Sequence, residues 1–171
     1  QGAIADHTES ITLEPQRAVS YYSVGSAKVQ LGDYRGAIAD FTECIALDPG
    51  FDNAYWMRGL AKSELGDFQA AITDYTESIA LNPKFADTYH SRGFAKAELG
   101  DYQGAIADYT EIIALDPNAV TYYCRGLAKA ELGDYQGAIA DYTESIALDP
   151  NSAVTYHSRG IAKAWLGDYQ G

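Results

Sequence analysis

Leu132 to Pro150 reads LGDYQGAIADYTESIALDP, and the same phrase is written again on either side of it. Leu99 to Pro117 repeats it with one change, Ile112 in place of Ser145, and looser copies run from Leu65 to Pro83 and from Leu31 to Pro49. Gln1 to Pro15 carries only the back half of the phrase, and Leu166 to Gly171 only the front half. Pro15, Pro49, Pro83, Pro117 and Pro150 stand 34, 34, 34 and 33 residues apart, and Gly32, Gly66, Gly100, Gly133 and Gly167 keep step with them. A period near 34 with this content belongs to solenoids of helix-turn-helix units.

The punctuation of each copy is physical. The glycine after the last Leu of a first helix can take the left-handed conformation that ends a helix, and the following Asp can cap the next one through its carboxylate. Every Pro falls at the end of a second helix and none inside one, as its missing N–H requires. The short period falls between Pro117 and Tyr122, so it trims a turn and spares both helices. Gly25, Gly59, Gly93, Gly126 and Gly160 lie inside first helices, where each costs about 1 kcal/mol relative to Ala. The sequence suggests close helix approach as the reason, with Ala37, Ala71, Ala105 and Ala138 opposite and Tyr21, Tyr55, Tyr89, Tyr122 and Tyr156 filling the seam.

Composition narrows the function. The formal charge of -12 argues against nucleic acid and anionic membrane surfaces, which need clustered Lys and Arg. It favours basic partners. No apolar run approaches the length of a membrane span. Cys44 and Cys124 sit at non-equivalent repeat positions, fit neither a disulfide framework nor a zinc site, and read as packed thiols suited to a reducing, intracellular compartment. The chain starts mid-repeat without Met, as expected of a piece of a longer array.

In outline each copy reads Tyr, Arg-Gly, Ala, Leu-Gly-Asp-Tyr, Ala-Ile, an aromatic, Ile, Leu and Pro. This resembles the tetratricopeptide repeat (TPR) family, whose pattern sets an aromatic, Leu-Gly, Tyr, Ala, an aromatic, Ala and Pro at matching offsets. The resemblance spans essentially the whole chain. It implies an all-α fold, an α-α superhelix or TPR solenoid of antiparallel helix pairs with about ten helices. The expected division is a single array: residues 1–17 as the second helix of a truncated repeat, complete repeats at 18–51, 52–85, 86–118 and 119–152, and 153–171 as a first helix.

Two constellations stand out. Arg58, Arg92, Arg125 and Arg159 precede the packed Gly where the family usually has Leu, and Asp6, Asp40, Asp74, Asp108 and Asp141 hold a matching place on second helices. Partly buried bidentate ion pairs follow, read as a structural ladder in preference to catalytic carboxylates. Val24 breaks the Arg series and leaves Asp40 expected unpaired. On this reading Arg92→Leu costs about 3 kcal/mol by stranding a buried carboxylate. His7, His90 and His157 lack ligand-like spacing, His7 reading as a packing variant, and Gly-Asp-Tyr-Gln-Gly lacks the residues of a phosphate loop. No enzyme, cofactor or metal is expected.

In the TPR family the first helices line the concave face, and their second, fifth, ninth, twelfth and thirteenth repeat positions commonly contact ligand. The resemblance therefore implies a groove carrying the fifth-position row Tyr22, Trp56, His90, Tyr123 and His157. Beside it run Ser26, Leu60, Phe94, Leu127 and Ile161, edged by Gln30, Glu64, Glu98, Glu131 and Trp165. Such a surface suits an extended or helical peptide with hydrophobic anchors and some basic residues. It lacks the Lys and Asn of the cochaperones that clamp a chaperone's C-terminal carboxylate. The expected function is a protein-protein interaction scaffold holding a peptide or protein segment. The alternative is a structural array stacking head-to-tail through uncapped ends.

Overall fold

The computed structural model describes residues 17–167; the expectations for Asp6, His7 and the helix at the start of the chain lie outside them. Among the described residues every regular element is α-helical. In order they are α1 (Ala18–Gln30), α2 (Tyr34–Leu47), α3 (Asp52–Glu64), α4 (Phe68–Leu81), α5 (Ala86–Glu98), α6 (Tyr102–Leu115), α7 (Ala119–Glu131), α8 (Tyr135–Leu148) and α9 (Ala153–Trp165). First helices have 13 residues and second helices 14. The chain forms two compact units, Gln1–Thr88 and Tyr89–Gly171, and the division falls inside α5.

The turn inside each repeat is set by two residues. Gly32, Gly66, Gly100, Gly133 and Gly167 all have φ between 75° and 80°. At the end of α1 the Gly32 N–H donates to the Val29 carbonyl and the Asp33 N–H to the Lys28 carbonyl, a Schellman close. The Asp33 carboxylate then accepts from the Gly36 N–H at 3.0 Å, and Asp101 and Asp134 accept from Gly104 and Gly137 at 2.9 Å. A Cβ on Gly36, Gly104 or Gly137 would sit 2.1–2.2 Å from Oδ2, the carboxylate oxygen that does not accept the cap bond, so the capping carboxylate occupies the space a side chain would need. Ala70 fills this position in unit one, and its bond to Asp67 lengthens to 3.2 Å.

Helices α2, α6 and α8 each end on an extended Asp before Pro, the conformation that a following Pro imposes. Where one residue is missing, Asn118 takes over the N-cap of α7 and accepts from the Thr121 N–H at 2.9 Å. The turn is shortened and the helices keep their length.

Each unit buries its own seam. In unit one Ala37, Phe41 and Ala61 are buried, with Tyr22, Val29, Tyr34, Ile38 and Met57 packed around them. In unit two Ala138, Tyr142 and Ala162 take those places, with Tyr123, Ala130, Tyr135 and Ile139 alongside. The helix-interior glycines face something other than the expected alanines. A Cβ on Gly25 would lie 2.8 Å from the ring of Phe41, and on Gly59, Gly93 and Gly126 it would lie 2.7, 3.0 and 2.7 Å from Tyr75, Tyr109 and Tyr142. The glycine is the seat for the flat ring of the second helix. That ring, and not the Tyr55 row, fills the seam: Phe41, Tyr75 and Tyr142 are the largest fully buried side chains, whereas Tyr55, Tyr89 and Tyr122 are half-buried.

Candidate functional site

In the pairs α3–α4, α5–α6 and α7–α8 the two helices meet through a charged cluster. Arg58 Nε donates to Asp74 Oδ2 at 2.9 Å and Nη2 to Oδ1 at 2.7 Å. Arg92 grips Asp108 at 3.0 and 2.6 Å, and Arg125 grips Asp141 at 2.9 and 2.7 Å. The three aspartates are only 2–3% exposed, so a planar donor fork that meets both oxygens is what makes their ionised form tolerable. The Asp141 hydrogen bond in turn raises the affinity of the Arg125 guanidinium for its proton, against the opposing pull of burial.

A second cation joins every cluster, and the sequence reading missed it. Lys62, Lys96 and Lys129 stand one helical turn after the arginines and reach Asp74, Asp108 and Asp141 at 2.7, 2.8 and 2.7 Å. The i, i+4 spacing from Arg to Lys was the available signal. It also corrects the expectation of an unpaired Asp40: Lys28 Nζ lies 2.7 Å from Asp40 Oδ2, although not in hydrogen-bonding geometry. Asp40 thus keeps one cation where the others have two.

The arginines extend further. Nη1 of Arg58 and of Arg125 donates to Thr42 and Thr110 on the preceding second helix, both at 3.1 Å. The guanidinium carbons of Arg58, Arg92, Arg125 and Arg159 lie over the rings of Tyr55, Tyr89, Tyr122 and Tyr156 at 5.4–5.7 Å. Arg159 donates to Thr143 at 3.3 Å, and the described residues pair it with no aspartate.

The rings of the fifth-position row pack on neighbouring aromatics. Tyr22 packs on Phe41 and Phe51, Trp56 on Phe85, His90 on Tyr109 and Tyr123 on Tyr142, with ring centroids 5.0–5.9 Å apart. These four are half-buried rings that close the seam, and His157 alone of the row is exposed. The row does not form the open ladder that the resemblance implied. Cys124 Sγ lies 4.0 Å from His90 Nε2, and burial pushes the Cys124 thiol up, which keeps it protonated and unreactive at neutral pH. Among the described residues no three His, Cys, Asp or Glu are grouped to hold a metal ion.

The ninth-position row is where unit two opens. A depression of about 410 Å³ lies between α5, α6 and α7, walled by Phe94 and Leu127, floored by Tyr109, and bordered by Glu98, Tyr102 and Glu131. A second, of about 360 Å³, repeats it one unit on: Leu127 and Ile161 form the walls, Tyr142 the floor, and Glu131, Tyr135 and Trp165 the border. Leu127 and Glu131 belong to both. Phe94, Leu127 and Ile161 are 47, 39 and 47% exposed, high values for such side chains inside a repeat. Tyr102 and Tyr135, which the sequence reading assigned only to the turn phrase, supply the back of each depression. In unit one Leu60 is half-buried and Glu64 exposed.

Helix pairs with this period, these caps and this seam define a repeat protein. Models of the tetratricopeptide repeat match residues 18–51, 86–119 and 119–152, and a TPR repeat model matches 62–100. The chain belongs to the tetratricopeptide repeat family. Its structure is similar to a crystal structure of MamA protein, at 27% identity over 89% of this chain and 84% of that one, with a TM-score of 0.86. MamA from Desulfovibrio magneticus RS-1 is similar at 21% identity, 90% and 86% coverage and a TM-score of 0.85. YrrB, described as a TPR protein with an unusual peptide-binding site, is similar at 16% identity, 96% and 85% coverage and a TM-score of 0.86. These last two likenesses are of fold alone. No curated protein sequence matches the chain.

Proposed function

We propose that this chain is a protein-interaction scaffold that seats a peptide segment on the first-helix face, with Phe94, Leu127 and Ile161 as its contact row in unit two. The supporting observation is the pair of adjoining depressions that share Leu127 and Glu131. Their walls are large apolar side chains left exposed at equivalent places in successive repeats, an arrangement that marks interaction surfaces more than packing. A rigid helical frame lowers the ordering cost of association, and two stations in series let an extended or helical segment gain from both. YrrB, of the same fold, is itself described as having a peptide-binding site. Glu64, Glu98 and Glu131 edge the first helices with negative charge, and the Arg-Asp-Lys clusters serve as the structural ladder that holds those helices in register.

Among the described residues no helix is long and apolar enough to cross a membrane, and protein partners are what the family implies. The test is affinity capture from a lysate with the parent chain and with Phe94→Lys and Leu127→Lys variants. Both positions are exposed, so the variants should melt as the parent does. A partner retained by the parent and lost by both variants supports the reading; equal capture by all three removes it.

A further inference from the structure

We infer that the segment seated on unit two is a basic amphipathic peptide, which places a Lys or Arg side chain between Phe94 and Leu127 and a bulky apolar one between Leu127 and Ile161. The inference rests on the peptide-groove reading above and adds the chemistry of the ligand.

Charge complementarity carries it. Residues 89–167 hold ten acidic and six basic side chains. Four of the six, Arg92, Lys96, Arg125 and Lys129, are committed to the buried Asp108 and Asp141. Neither of the other two, Arg159 and Lys163, borders a depression. The groove therefore receives only negative charge. Glu98 and Glu131 stand exposed at its border, with no ion pair to either among the described residues. The fold has placed its cations where they neutralise buried carboxylates and left the exposed ones to act on a ligand.

The two depressions differ in charge at one border, and that difference orders the ligand. The first has a carboxylate on both sides, Glu98 and Glu131, over walls of Phe94 and Leu127. A Lys or Arg can bury its aliphatic stem on such walls and bring its head to the carboxylates, with the Tyr102 ring beside it. The field of Glu98 reaches the floor: the Tyr109 hydroxyl is pushed up by burial first, then by Cys124, Asp108 and Glu98. In the second depression Trp165 replaces the far carboxylate, with its ring lying parallel to Tyr135 at 9° and 5.9 Å. Trp165 is 70% exposed, a broad apolar surface better matched to an aliphatic or aromatic side chain. A second copy of the chain is a poor occupant, because it brings a like net charge of -12 to the same surface.

Selection of short random displayed peptides against the 171-residue chain tests this. The enriched peptides are expected to carry Lys or Arg beside a bulky apolar residue. Their affinity, read by fluorescence anisotropy, should fall about tenfold or more in the Glu98→Gln, Glu131→Gln variant, and its dependence on salt should flatten. Acidic or uncharged enriched peptides that are displaced by Leu127→Lys overturn this inference while leaving the groove in place. So do basic peptides that bind the double Gln variant as tightly as the parent. Absence of any enrichment, or peptides indifferent to Leu127→Lys, overturn the groove and this inference together.

Discussion

At the scale of single residues, the second cation changes what a substitution costs. Removing Arg92 does not strand Asp108, because Lys96 remains 2.8 Å away, just as Lys28 remains for Asp40 beside Val24. Arg92→Leu is therefore expected to cost about 2 kcal/mol, the loss of charged hydrogen bonds, and not the full cost of an orphaned ion. Arg92→Leu with Lys96→Met should cost about 4 kcal/mol, more than Arg92→Leu and Lys96→Met measured singly would sum to. Urea melts of the three variants measure this, and strict additivity would show that the cations act separately. The glycines give a second residue-scale contrast. Gly126→Ala drives a Cβ to 2.7 Å from the Tyr142 ring and should cost about 1–3 kcal/mol by overpacking. Gly160→Ala meets nothing within 4 Å and should instead stabilise by up to about 1 kcal/mol through helix propensity. Opposite shifts in melting temperature are expected from chemically identical substitutions.

At the scale of the element, helix ends and seam aromatics set the stability of each pair. Gly133 holds a φ of 79° at the end of α7, and Gly133→Ala should cost about 1–2 kcal/mol even though nothing lies within 4 Å of the added carbon. The seam also makes the pairs sensitive to alkali. Burial, then the charge of Asp48, pushes the Cys44 thiol up from 9.0 to about 11. Burial, then the charges of Tyr123, Asp141 and Glu131, pushes the Tyr142 hydroxyl up from 10.0 to about 12. Both are acids that the fold holds neutral, so the unfolded chain loses its proton first and is favoured as pH rises. Their contribution is intact below pH 9, falls from 9 to 11 for Cys44, and falls from 10 to 12 for Tyr142. Melting temperature should drop across these windows, and Cys44→Ala should remove the earlier part of the drop. An unchanged onset in that variant would assign the alkaline loss elsewhere.

At the scale of the whole molecule, the architecture was legible because its signals are local and written several times. The 34-residue period, the Leu-Gly-Asp close and the Pro stops each encode one turn, and the structure uses them as read. What escaped the sequence was side-chain direction across helices. Periodicity places Tyr123 and Leu127 on the same helix but does not say that Tyr123 leans onto Tyr142 while Leu127 stays open. The same limit hid Lys96 behind Arg92, and made Ala105 look like the partner of Gly93 when the ring of Tyr109 is. The fifth-position rings, read as an open row, are therefore half-buried from Tyr22 to Tyr123, while Phe94, Leu127 and Ile161 beside them are the exposed side chains.

The proposed groove holds a peptide segment along Phe94, Leu127 and Ile161. The most direct measurement is methyl NMR of the chain, with leucine and isoleucine methyls labelled, during titration with a peptide selected against it. Leu127 and Ile161 should shift together and saturate at one affinity. Leu81, Leu115 and Leu148 are exposed to about the same degree at second-helix ends, at 45, 46 and 51%, and should not move. Shifts confined to those leucines, with Leu127 and Ile161 unmoved, would place the peptide elsewhere and remove the proposed groove.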